Sequence, residues 1–204
     1  MCEGVNVSEP DWDGVKAYAL ARLASGLPPE LRYHSIYHTC ADVLPAIERL
    51  AALAGVDGND LLLLRTAALY HDMGYMEQYA DNEPIGARIA RETLPKFGYT
   101  PDQIAVVERM IMATQMPQAP QNFLEELVCD ADLDSLGRED YLETSHDLHA
   151  ELIACGASIT LKEWYLRQIN FLSNHTYFTD VARKLRDAGK QKNIHRLNTL
   201  LQSL

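Results

Sequence analysis

The stretch from Leu61 to Tyr75, LLLLRTAALYHDMGY, sets an imidazole and a carboxylate side by side, His71 and Asp72, at the end of a segment that is otherwise almost wholly apolar. A helix apolar on nearly every side is buried. The pair at its end must then be hydrogen-bonded, ion-paired or bound to a cation, because an unpartnered buried charge is prohibitively costly. The plainer reading is a helix cap or a bridge to a neighbouring helix. A second such dipeptide, His146-Asp147, lies in EDYLETSHDLHAEL, where polar residues recur on most faces, and it reads as surface together with His149.

His71 and Asp72 stand above that plainer reading because of what accompanies them. His34 and His38 are four residues apart in YHSIYHT, a spacing that places them on one helical face. Asp130, Asp132 and Asp134 alternate in CDADLDSLGRED after an apolar helix, and spacing alone does not separate Asp130 from Asp132. His38, His71, Asp72 and Asp132 give two imidazoles and two carboxylates on separate helices, and a bundle can converge such groups on one interior cation. Mixed nitrogen and oxygen donors suit one divalent ion among Mn, Fe, Ni, Co, Zn and Mg without choosing between them. Such an ion lowers the pKa of bound water and neutralises a phosphoryl oxygen.

The elements that must position these residues are helices throughout. Residues 1–10 read as a flexible tail and residues 11–204 as one domain, with a helix over Trp12–Ser25 ended by Gly26-Leu27-Pro28-Pro29. Tyr33, Ile36, Tyr37, Cys40, Val43, Leu44 and Ile47 trace one helical stripe. Gly74 lets the chain turn away after the His-Asp pair, and Pro84 opens a helix running to about Leu94. Thr100-Pro101-Asp102-Gln103 and Thr160-Leu161-Lys162-Glu163 are capping boxes. No segment alternates with period two, so the fold class is all-α.

The formal charge of -11 on 204 residues argues against a nucleic-acid polymer as partner. A small anionic substrate remains compatible where a metal supplies local positive charge. No apolar run is long enough for a membrane span. Cys2, Cys40, Cys129 and Cys155 show no CxxC spacing, and with no signal peptide apparent the expected compartment is cytoplasmic. The oligomeric state is left open between monomer and homodimer.

The order H...HD...D, in YHSIYHT, TAALYHDMGY, the helix after NEPIGARIA, and CDADLDSLGRED, resembles the HD superfamily of metal-dependent phosphohydrolases, and in particular its compact bacterial branch. The resemblance covers roughly Leu31 to Thr179 and implies a single HD-domain helical bundle, with its core at about residues 31–140 and terminal helices packed on it. It implies metal-ligand roles for His38, His71, Asp72 and Asp132, favouring Asp132 over Asp130 because the family's ligand follows a small residue. The implied activity is hydrolysis of a phosphoester of a nucleotide or other small phosphorylated metabolite.

The sequence departs from the family at Asn82, where relatives commonly carry His before Glu, and at Thr114, where many carry another His. Amide and hydroxyl groups replace imidazole poorly as ligands, so one metal is expected rather than two. The candidate proton-handling groups are Glu83, Asp81 and His34, and the candidate substrate contacts are His34, Asn82 and Arg138. Capping by Asp81 or Asn82, and a salt bridge from Arg138 to Asp134 or Glu139, are the plainer fates. The alternative to an enzyme is an HD-fold regulatory module that binds metal or nucleotide without turnover. Two-iron oxidative chemistry ranks last, because its additional histidines are missing.

Overall fold

In the computed structural model, residues 9–204 are described, so most of the expected tail at residues 1–10, and Cys2 with it, lies outside the described residues. Helix follows helix: α1 (Trp12–Gly26), α2 (Leu44–Ala54), α3 (Gly58–Tyr70), α4 (Asn82–Thr93), α5 (Pro101–Ala113), α6 (Phe123–Asp132), α7 (Tyr141–Ala154), α8 (Leu161–Asn174) and α9 (Asp180–Gln202). The described residues contain no strand, as the all-α reading required. Both capping boxes form, with Thr100 and Thr160 each accepting from the N3 backbone while Gln103 and Glu163 reach back. No described helix is long and apolar enough to cross a membrane.

Helix α3 is the axis of the bundle and packs against α1, α2, α4, α5 and α6. Its last five residues, Thr66 to Tyr70, are all buried, which explains the nearly continuous apolar run. Burial of Leu63, Leu64, Leu69 and Tyr70 stabilises the fold by roughly 1.5–3 kcal/mol for each aliphatic or aromatic side chain. The two polar interruptions are satisfied. The Thr66 hydroxyl bonds the Leu62 carbonyl and the Tyr99 hydroxyl, and Arg65 reaches out to Glu48 at 2.5 Å.

One local expectation is corrected. The stripe beginning at Tyr33 is not one α-helix: residues 32–35 bend, and His38–Val43 form a π-helical turn leading into α2. A π-turn widens the helix and re-aims the side chains on it. Tyr37 is therefore 65% exposed while His38 and Thr39 are buried, and His34 lies in the bend rather than one turn below His38 on a shared face. Gly74, expected to let the chain turn away, does so within a 3₁₀ turn, Met73–Met76, and without positive φ. It is glycine because a Cβ there would stand 1.9 Å from the Asn82 carbonyl oxygen.

That close approach seats the start of α4 against the turn after His71-Asp72. Gly74→Ala should force the two backbones apart at a cost of about 1–3 kcal/mol. At this chain length that corresponds to a melting temperature several degrees lower, to be read by thermal denaturation.

Candidate metal centre

Four side chains converge where the π-turn, the end of α3 and the end of α6 meet. His38 Nε2 lies 3.3 Å from Asp132 Oδ1 and 3.7 Å from Asp72 Oδ2. His71 Nε2 lies 3.2 Å from Asp72 Oδ2 and 3.4 Å from Asp132 Oδ1. Such separations between donor atoms are those of ligands sharing one ion at roughly 2.0–2.2 Å. His38, His71 and Asp132 by themselves form a group that could hold a metal ion.

Hydrogen-bond accounting points the same way. His71 Nδ1 donates to the Ala68 carbonyl at 2.9 Å, which fixes Nε2 as the free nitrogen, in the manner of a metal-ligating histidine whose other nitrogen is anchored. His71 Nε2 and Asp72 Oδ2 are buried without a hydrogen-bond partner, so the donor set is incomplete without something between them. On this evidence the residues fit a divalent cation.

The protonation pattern follows from the same crowding. Burial pushes His38 down, but Asp132 and Asp42, bonding its ring, outweigh burial and raise it to about 9. His71 is likewise depressed by burial but raised well above its ordinary value by Asp72 and Asp132. Asp72 and Asp132, pushed up by burial, are drawn below the usual carboxylate range by the same two imidazoles. Without a metal, protons supply the positive charge the cluster needs; a divalent cation can replace both.

The three alternating aspartates have three different surroundings. Residues two apart on a helix do not face each other. Asp130 turns to the loop before α9, accepting from the Phe178 and Thr179 backbone N–H groups at 2.8 Å and from the Thr179 hydroxyl at 2.7 Å. Asp134 is held by Arg49 and Arg186. Asp132 alone faces His38 and His71.

Asp72 and Asp132 of the cluster line a cavity of about 570 Å³, together with Tyr33, His34, Tyr75, Asn82, Glu83 and Trp164. Glu83 is half-buried there, and its carboxyl is raised by burial and by the charges of Asp72 and Asp132. Asp81 is exposed at φ 52°, makes no side-chain cap to α4 and lies outside the cavity lining. Asn82, also expected as a cap, is buried and lines the cavity. Thr114 Oγ1 donates to the Ile111 carbonyl at 2.7 Å, so its hydroxyl serves its own helix end.

Arg138, expected at the substrate, is not among the cavity-lining residues. Its guanidinium bridges Asp42 at 2.6 Å and Asp140 at 2.6 Å, because those carboxylates flank it and leave no free fork for a phosphate. Through Asp42, whose Oδ2 is 3.6 Å from His38 Nδ1, it braces the His38 ring instead. His146 and Asp147 are exposed, as read from sequence, while His149 is half-buried and stacks on Trp164. Sequence reasoning missed Asp42 and Glu151. The first stands four residues after His38, a findable spacing; the second carries no local signal.

With fold and geometry in hand, the class of the central segment is defined: residues 40–136, just under half of the chain, match the family model of the HD domain. The matched span includes His71, Asp72 and Asp132. Among solved structures, YpgQ of Bacillus subtilis, crystallised in complex with ADP, is similar at 17% identity and a TM-score of 0.68, covering 95% of each chain. A protein from Lactobacillus plantarum is similar at 19% identity and a TM-score of 0.69, covering 97% of this chain and 100% of its own. Both likenesses are of fold. No curated protein matches the chain in sequence.

Metal binding at this cluster must displace the proton from His38, which is raised to about 9. Affinity for Mn²⁺, followed by calorimetric titration, should therefore rise by at least about tenfold per unit between pH 6 and pH 8. In metal-free protein the sign reverses for folding. A raised histidine stabilises the folded state fully below its unfolded value of about 6.5, and this contribution fades as pH rises through the folded value.

Proposed function

We propose that the protein is a metal-dependent phosphohydrolase acting on a small phosphoester, a nucleotide among the candidates, with His38, His71, Asp72 and Asp132 as ligands to one divalent ion. The observation that carries this reading is the convergence of four donor atoms, 3.2–3.7 Å apart around the ring they form, beside a cavity that Asp72 and Asp132 line. Bound there, the ion would acidify water and neutralise charge developing on a phosphoryl oxygen.

The chain's own groups supply the rest. Glu83 supports a proton-handling role, since it lines the cavity and its carboxyl is raised toward neutrality. Asn82, with a buried side-chain oxygen lacking a partner, is a substrate contact rather than a ligand. Asp81, which does not line the cavity, has less support as a catalytic group. The family's membership in metal-dependent phosphohydrolases supports the reaction class, and the ADP held by YpgQ supports a nucleotide as one substrate to try.

The competing reading, a binding module without turnover, draws on Asn82 and Thr114 standing where relatives commonly carry histidine. Purified protein loaded with Mn²⁺, Co²⁺ or Ni²⁺ should release phosphate from nucleotides or a generic aryl phosphate. His71→Ala and Asp72→Ala should lose both the bound metal, by elemental analysis, and the turnover. Binding without phosphate release under every metal would establish the module instead.

A further inference from the structure

The carboxylate of Glu151, on α7, is fully buried, at 0% exposure, although it belongs to no part of the metal cluster. One oxygen accepts from the Tyr33 backbone N–H at 2.9 Å and the His34 backbone N–H at 3.0 Å. The other is bonded by His34 Nδ1 and accepts from the Tyr79 hydroxyl at 3.0 Å. The bend carrying His34 is thus tied, through backbone and ring together, to a helix more than a hundred residues away.

An ionised carboxylate only accepts, so the hydrogen on this ring sits on Nδ1 and points at Glu151. Nε2 is left facing the Tyr75 hydroxyl at 3.1 Å, and the two rings stack with centroids 4.1 Å apart. His34 and Tyr75 both line the cavity, beside Asp72 and Asp132. A deeply buried carboxylate that orients an imidazole through Nδ1 while Nε2 handles a proton is a known arrangement for acid–base work. Burial pushes Glu151 up, yet the bonds from His34 and the two backbone N–H groups bring it below the ordinary carboxylate range, so it stays ionised at neutral pH. Tyr75, raised by burial and by Asp72, keeps its proton.

We propose that His34 and Tyr75 form the proton donor to the leaving group, with Glu151 as the positioning residue that fixes the His34 ring. This rests on the phosphohydrolase reading and supplies the donor that Asn82 and Thr114 do not. As the oxygen of water bonds to phosphorus, the bond from phosphorus to the leaving oxygen breaks and that oxygen keeps the electron pair. It takes the Tyr75 hydroxyl proton as Tyr75 takes one that His34 Nε2, bare at rest, has drawn from solvent; the proton shed by the attacking water passes to solvent, so the count closes. The titratable groups around His34 are Glu151 from α7, Tyr75 and Tyr79 from the turn after α3, Tyr33 and His38 on its own segment, and the Asp72 charge.

The test compares Glu151→Gln, Tyr75→Phe and wild type, each loaded with Mn²⁺, on two esters differing only in need for a proton. The leaving group of 4-nitrophenyl phosphate departs with little help, whereas that of benzyl phosphate requires protonation. Both variants should lose about 100-fold in kcat on benzyl phosphate and less than about tenfold on the nitrophenyl ester. Equal losses on the two esters would overturn the donor assignment while leaving the phosphohydrolase reading intact, and a wild type inert on every ester would overturn both. Tyr75→Phe, which leaves the Glu151 bonds in place, carries the comparison if Glu151→Gln fails to fold. Independently of turnover, ¹⁵N spectra of the histidine rings should show His34 protonated at Nδ1 in wild type, and a bare Nδ1 would refute the proposal.

Discussion

Two imidazoles crowded against two carboxylates, each inner nitrogen within 4 Å of both acids, are the constraint on which the rest of this structure depends. Taking such charges out of water is expensive, and their mutual attraction repays the cost only when geometry is good and the remaining donors and acceptors are satisfied. Here the outer atoms of the cluster have protein groups standing behind them, whereas His71 Nε2 and Asp72 Oδ2 on the inside have no hydrogen-bond partner. Ala68 takes the outer nitrogen of His71, and Asp42, itself held by Arg138, stands behind the outer nitrogen of His38. The inner atoms face one another, which is the arrangement a cation resolves and protons resolve only in part.

That constraint explains features of the fold that packing alone would not require. The core of α3 ends where it does because His71 must arrive at the cluster on a rigid, fully buried helix. The π-turn at His38–Val43 puts His38 and Asp42 both on the inward side, where a regular helix would also place residues four apart. What the wider turn changes is the relation to the preceding residues, which swing outward at Ile36 and Tyr37. Gly74 and Asn82 are pressed together for the same reason, since the turn after Asp72 must fold back sharply to close the cavity wall.

The chemistry-bearing residues on long helices were legible in the sequence, because a polar pair at the end of an apolar run is an anomaly that burial makes informative. The family resemblance, not spacing, favoured Asp132 over Asp130; the helix end gives the two acids different surroundings, Asp132 beside His38 and His71 and Asp130 against the loop before α9. The π-turn was not legible, as nothing in its composition distinguishes it from an α-helix with the same stripe. Nor was Glu151, which lies on a half-solvated helix and becomes significant only when the chain brings His34 to it across 117 positions. Arg138 was misjudged because a guanidinium near acids has several partners available, and only the tertiary fold shows Asp42 to be one of them.

The charge balance of the cavity carries the argument a step further. A protein of formal charge -11 with three carboxylates, Asp72, Glu83 and Asp132, lining this cavity repels a phosphate unless positive charge is placed there locally. Among the described residues lining that cavity, Arg167 is the one Lys or Arg, and it belongs to α8 rather than to the elements that carry the cluster. On the proposed reading, positive charge beside a phosphoryl group would then come from a bound cation and from the imidazoles. Because Coulomb attraction falls with distance and is weakened by solvent, the rest of the wall contributes little to holding the anion. Its tyrosines, Trp164 and Phe171 provide apolar surface for the remainder of the molecule instead. On that reading affinity for a phosphate would be conditional on the metal, whereas affinity for the rest of an ester would not.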